Sequence, residues 1–90
     1  MELIAKMKNK VLIELIVPTL EETYDVYIPI NKRVGNVTTL LTKVVSELSG
    51  GYYSSSQYTA LYNGETGERY RTNQLIRNSD IRNGSKVILM

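Results

Sequence analysis

One stretch of this chain repeats its apolar residues at helical spacing. Val34, Val37, Leu41, Val44 and Leu48 recur at intervals of three and four, with Leu40 and Val45 widening the stripe. The spacing predicts an amphipathic helix from about Asn36 to about Leu48. Asn36 is the expected N-cap, and Gly50-Gly51 the stop, because glycine readily takes the left-handed conformation after a helix. On either side the apolar period falls to two. A lone helix among strands buries its stripe most simply across one face of a sheet, so the expected class is α+β with one helix packed on one sheet face.

The strands follow from alternation. Val11 to Val17 puts Val11, Ile13, Leu15 and Val17 on one face and Leu12, Glu14 and Ile16 on the other. Pro18 cannot donate a ladder hydrogen bond and ends the run. After the polar turn Thr19 to Thr23, a second strand is expected over Tyr24 to Ile30, with Val26, Ile28 and Ile30 on one face. Its Pro29 suits a sheet edge. Beyond the helix, Tyr58 to Tyr62 reads as a short strand, Arg69-Tyr70-Arg71 as a very short one, and Lys86 to Met90 as the last. Asn83-Gly84 is the turn before that last strand, with Gly84 expected at positive φ. Ile81, behind Ser79-Asp80, is expected to plug one end of the core.

Three segments, taken in order, resemble the YukD-like ubiquitin-like proteins of bacterial type VII secretion systems. They are Tyr24-Asp25-Val26-Tyr27-Ile28-Pro29, the turn-bearing Leu61-Tyr62-Asn63-Gly64-Glu65-Thr66-Gly67-Glu68-Arg69-Tyr70, and the closing Asp80-Ile81-Arg82-Asn83-Gly84-Ser85-Lys86-Val87-Ile88-Leu89. The resemblance covers residues 10–90 and implies a ubiquitin-like β-grasp fold. That fold is a mixed sheet, here of four to five strands, with the last strand central and parallel to the first. Residues 1–9 find no counterpart and are expected to form a flexible leader. The resemblance implies a small cytoplasmic accessory component of the secretion system. Its implied partners are the system's membrane ATPase or associated membrane proteins.

Composition narrows the chemistry. The 90 residues contain no cysteine and no histidine. That removes thiol nucleophiles, disulfides and cysteine-ligated zinc, along with the commonest general base and metal ligand. The expectation is a non-enzyme with no catalytic residue, no cofactor, no metal site and no small-molecule substrate. Glu21, Glu22 and Asp25 read as a solvated hairpin turn. Gly64-Glu65-Thr66-Gly67 lacks the lysine and the following helix of a phosphate loop. The longest apolar run, Val11 to Val17, is interrupted by Glu14, so no direct membrane insertion is expected. Arg69, Arg71, Arg77, Arg82 and Lys86, with Tyr58, Tyr62 and Tyr70 near them, raise nucleic-acid binding as an alternative. The net charge of +2 disfavours it.

Conjugated ubiquitin-like modifiers and sulfur carriers need a flexible tail ending in a glycine pair. This sequence ends Val87-Ile88-Leu89-Met90, so attachment to targets is not expected. A non-covalent binding module is left. With Val87 and Leu89 turned inward, Ile88 and Met90 face away from the helix, as do Leu12 and Ile16 on the neighbouring first strand. Tyr62 joins them if the third strand pairs with the last. The expected docking patch is therefore Leu12, Ile16, Tyr62, Ile88 and Met90, meeting a protein partner or a second copy in a homodimer. An adaptor or homodimeric scaffold unrelated to secretion fits the same patch. The open edge of the second strand is another candidate surface. Tyr24, Tyr27, Tyr52 and Tyr53 are the tyrosines expected at the surface.

Overall fold

In a computed structural model that describes residues 9–90, the chain folds as a four-stranded mixed sheet crossed on one face by a single α-helix. The expected leader, 1–9, lies outside the described residues except for Asn9. Strand β1 (Lys10–Val17) turns through a 3₁₀ turn at Pro18–Leu20 into the antiparallel β2 (Glu22–Pro29). Helix α1 (Val34–Leu48) follows, then β3 (Leu61–Asn63), a second 3₁₀ turn at Ile76–Asn78, and β4 (Lys86–Leu89). The sheet order is β2-β1-β4-β3. The last strand lies centrally, parallel to β1 and antiparallel to β3. This is the β-grasp topology expected from the resemblance.

Alternation produces the core. Val11, Ile13, Leu15 and Val17 are buried while the residues between them are half-buried, and β4 repeats the pattern with Val87 and Leu89. Leu15, Val17, Ile28, Leu61, Val87 and Leu89 are completely enclosed under α1. The helix contributes Val34, Val37, Leu41 and Val45. Leu40, expected to widen the stripe, sits on its flank and is 45% exposed; Leu48, in the last helical residue, is 55% exposed. Ile76 and Ile81 close the end of the core, as expected for Ile81.

Several boundaries differ from the expectation, each for an identifiable reason. The helix begins at Val34, before Asn36, and Arg33 supplies no side-chain cap. Carbonyls from a distant loop cap it instead: Val34 N–H donates to Gln74 O at 2.8 Å and Gly35 N–H to Thr72 O at 2.9 Å. Those contacts satisfy two of the backbone N–H groups that the first turn leaves without a partner inside the helix. At the other end, Gly50 and Gly51 take φ of 67° and 88°, and Gly51 N–H closes onto Ser46 O.

Strand β2 starts at Glu22 rather than Tyr24 because its ladder runs back to the Val17 and Glu22 pair. Strand β3 starts only at Leu61. Before it, Ser56 and Thr59 tie off a local turn through their side chains, taking the Ser56 and Tyr58 N–H groups out of the sheet. The strand expected at Arg69-Tyr70-Arg71 is reduced to one bridge, Tyr62 to Arg69, so the sheet has four strands and not five.

Two tyrosines expected outside are turned in. Tyr24 is in register with Leu15 and packs on the core edge. Tyr53 is buried beyond the helix end, its N–H held by Ser49 Oγ. Burial raises the pKa of its hydroxyl, against an opposing hydrogen bond with Thr59. Tyr27 and Tyr52 remain exposed.

Candidate functional site

The face of the sheet opposite α1 carries no covering element among the described residues. Register aligns its side chains into rows across the strands, because residues paired in a ladder point the same way. In one row, Ile16 stands between Thr23 of β2 and Ile88 of β4, and Ile88 stands beside Tyr62 of β3. Ile16, Ile88 and Tyr62 are each half-buried and shield one another across three neighbouring strands. Met90 continues the line of β4. Its N–H and carbonyl both pair with Ala60, and its side chain is 51% exposed. These four apolar residues form one continuous patch at one end of the face.

The next row is charged. Glu14 is paired with Asp25 on one side and Lys86 on the other. Beyond Lys86 the backbone closes tightly. Gly64 N–H donates to Lys86 O at 2.8 Å, and a Cβ at Gly64 would fall 2.7 Å from Lys86 Cβ and 2.8 Å from its carbonyl oxygen. Only glycine fits without displacing β4.

Leu12 belongs to a third row. It pairs with Tyr27, and its N–H is held by Asn83 Oδ1 at 2.8 Å. Four residues along β1 place it about 13 Å from Ile16, with Glu14 between. Of the five residues expected to cluster, the structure brings Ile16, Tyr62, Ile88 and Met90 together. It sets Leu12 apart, beside Tyr27. The third-strand register also becomes definite: Tyr62 faces out and Leu61 faces the core.

A second constellation has little signal in the sequence. Tyr70 O–H donates to Asp80 Oδ1 at 2.7 Å, and Asn63 Nδ2 donates to Asp80 Oδ2 at 3.1 Å. Asn63 Oδ1 in turn accepts from Glu65 and Thr66 N–H. Burial, then the hydrogen bond to Asp80 and its negative charge, raise the pKa of Tyr70 well above that of an ordinary tyrosine. Both Asp80 oxygens are occupied, so the group locks the 63–70 turn onto the 79–81 turn and leaves little for a ligand. Only the turn within Leu61 to Tyr70 and the Ser79-Asp80 pair hinted at it.

Two arginines are engaged by the backbone instead of standing free. Arg82 Nη1 donates to the carbonyls of Ser79 and Ile81, and Arg33 donates to Asn73 O. Both guanidinium groups fasten loops. A cleft of about 350 Å³ runs between α1 and the 55–60 segment, lined by Thr38, Thr39, Thr42 and Thr59. The three helix hydroxyls donate to carbonyls of their own helix, so they do not present free donors to the cleft. Among the described residues no group of three or more His, Cys, Asp or Glu could hold a metal ion. No described helix is long and apolar enough to cross a membrane.

No protein-family model and no curated protein matches the chain. Solved structures do match it in shape. A chain of the "MycP5-free ESX-5 inner membrane complex, State II" superposes with a TM-score of 0.76 at 19% identity, covering 91% of this chain. This chain spans only 21% of that longer one. The EccD5 ubiquitin-like domain from Mycobacterium xenopi gives a TM-score of 0.75 at 14% identity, covering 90% of this chain and 92% of the domain. The ubiquitin-like domain of the Mycobacterium tuberculosis type VII secretion system protein EccD1 gives 0.71 at 16% identity, covering 89% and 96%. These likenesses establish a ubiquitin-like fold.

Proposed function

We propose that this chain is a non-catalytic, ubiquitin-like protein-docking module. It serves as a cytosolic accessory component of a bacterial type VII secretion system and binds its partners without being conjugated to them. The observation that carries the reading is the row formed by Ile16, Ile88 and Tyr62, with Met90 beside it, on the bare face of the sheet. Apolar side chains scattered singly over a surface are ordinary, whereas a contiguous set marks an interface. The assignment to secretion draws on two supports. The sequence resembles YukD-like proteins at residues 24–29, 61–70 and 80–89, and the fold is shared with ubiquitin-like domains of EccD proteins. On this reading the partner is the system's membrane ATPase or an associated membrane protein.

Titration of the purified chain against the soluble part of that ATPase, taken from the same gene neighbourhood, tests the proposal. Ile88→Asp is expected to abolish binding while the far-UV circular dichroism stays that of the native fold. Leu12→Asp, across the charged row, is expected to weaken binding much less. Wild-type binding by Ile88→Asp would place the interface elsewhere. A covalent adduct through the terminal carboxylate, seen by mass spectrometry of the protein recovered from cells, would replace docking with conjugation.

A further inference from the structure

We infer that the open face also pairs with the open face of a second copy of this chain. The twofold axis runs along the strands between β1 and β4, so that Glu14 of each copy meets Lys86 of the other. The inference rests on the reading of the open face as a protein-docking surface and names one partner for it.

A closed dimer needs a patch complementary to itself. Strands β1 and β4 are parallel, adjacent and central, and their register sets Glu14 beside Lys86 and Ile16 beside Ile88. Rotation by half a turn about an axis along these strands exchanges the positions of β1 and β4. Ile16 of one copy then lies over Ile88 of the other, and Glu14 over Lys86, twice per dimer. An axis across the strands fails. It sets Glu14 against Glu14, or drives both charges onto the apolar row. The strand-parallel axis also keeps the two sheets in the aligned arrangement, roughly 30° apart, that stacked sheets adopt. Glu14 is half-buried and Lys86 exposed, so both can reach across.

The footprint bounds the strength of the contact. Four strands at about 4.8 Å make a face about 19 Å wide. The longest strand, β1 with eight residues, spans about 26 Å, so the face covers about 500 Å², less than the roughly 800 Å² per partner of a stable complex, and the dimer is weak and reversible.

Sedimentation equilibrium of the full chain over a wide concentration range tests this. Wild type is expected to move from its 10.2 kDa monomer mass toward twice that value. Glu14→Lys places lysine over lysine, and Lys86→Glu places glutamate over glutamate. Each is expected to weaken self-association about tenfold or more. An equimolar mixture of the two variants restores both opposite-charge contacts, and so does the doubly swapped chain. Each single variant keeps its own like-charge neighbours within the chain when mixed, so recovery on mixing reports only contact between copies. Circular dichroism verifies that the variants are folded.

A wild-type chain that stays monomeric throughout, single variants that associate normally, or a mixture that fails to recover would each overturn the pairing. If the chain is monomeric but still binds the ATPase in an Ile88-dependent way, the dimer falls and the docking reading stands. If Ile88→Asp changes neither association nor ATPase binding, the docking reading itself falls.

Discussion

Along β1, Ile13 and Leu15 lie under α1 at 1% and 0% exposure, while Leu12 and Ile16, each one residue away, stay half-buried on the other face. The two sets are alike in chemistry and separated only by the alternation of the strand. On the covered face the apolar side chains join one buried cluster with residues of the helix, of β2 and of the loop at Ile76 and Ile81. Among the described residues, the open face offers only neighbours in the same sheet as partners. The covered face therefore carries the stability of a small domain, and the open face is where apolar area remains available to another molecule.

The largest effect that separates the two faces should come from truncating the core. Leu15→Ala removes a completely enclosed side chain and is expected to cost about 3 kcal/mol in urea unfolding. A cost below about 1 kcal/mol would mean that the face beneath α1 is not the tightly filled one. Ile88→Asp on the open face should cost only about 1 kcal/mol, from weaker strand propensity and lost neighbour contacts, while abolishing partner binding. If it unfolds the chain, the two faces have been assigned in reverse.

Tyr70→Phe probes the rim of the covered face, where the ring packs on the core and the hydroxyl holds Asp80. Its expected cost is about 1 kcal/mol. The same variant has a pH signature. Because the folded pKa of Tyr70 is raised, its contribution to stability is fully present below the unfolded value near 10 and is lost as pH rises toward the folded value. Wild type should therefore lose stability above about pH 10 more steeply than Tyr70→Phe. Equal slopes would mean that burial and Asp80 together do not hold the Tyr70 hydroxyl protonated.

The smallest effect is expected at the hairpin. Glu21 holds φ of 53° after the 3₁₀ turn, a conformation that costs a non-glycine residue about 1 kcal/mol. Glu21→Gly should raise stability by about 0.5 kcal/mol, the relief being partly offset by the added freedom of the unfolded chain.

How much could be read beforehand differs between local and distant pairings. The inward sets of β1 and β4, Val34, Val37 and Leu41 of the helix stripe, and the turn at Gly84 (φ 86°) follow from spacing and residue type, whereas the stripe was expected to run on through Val44 and Leu48 and the fold buries Val45 in their place. The helix start did not follow, because its cap comes from Thr72 and Gln74, far along the chain. The inward turn of Tyr24 was legible, because alternation sets it on the face of Val26 and Ile28; expecting it at the surface ran against that period. The open-face patch was legible as a set of outward residues, but not as a shape. Leu12 has the same outward orientation as Ile16, and only the ladder shows that Glu14 and Lys86 stand between it and the rest.

The sequence by itself determined that one helix covers one face of a sheet, which side chains point toward it, and that the chemistry of cysteine and histidine is absent. Those conclusions follow from periodicity and composition, which act within a few residues. The tertiary structure decided which outward residues become neighbours: Ile16 with Ile88 and Tyr62, Glu14 with Lys86, Tyr70 with Asp80. Register between segments far apart in sequence is fixed by how the whole core closes, and a shift of one residue would send every one of these side chains to the opposite face.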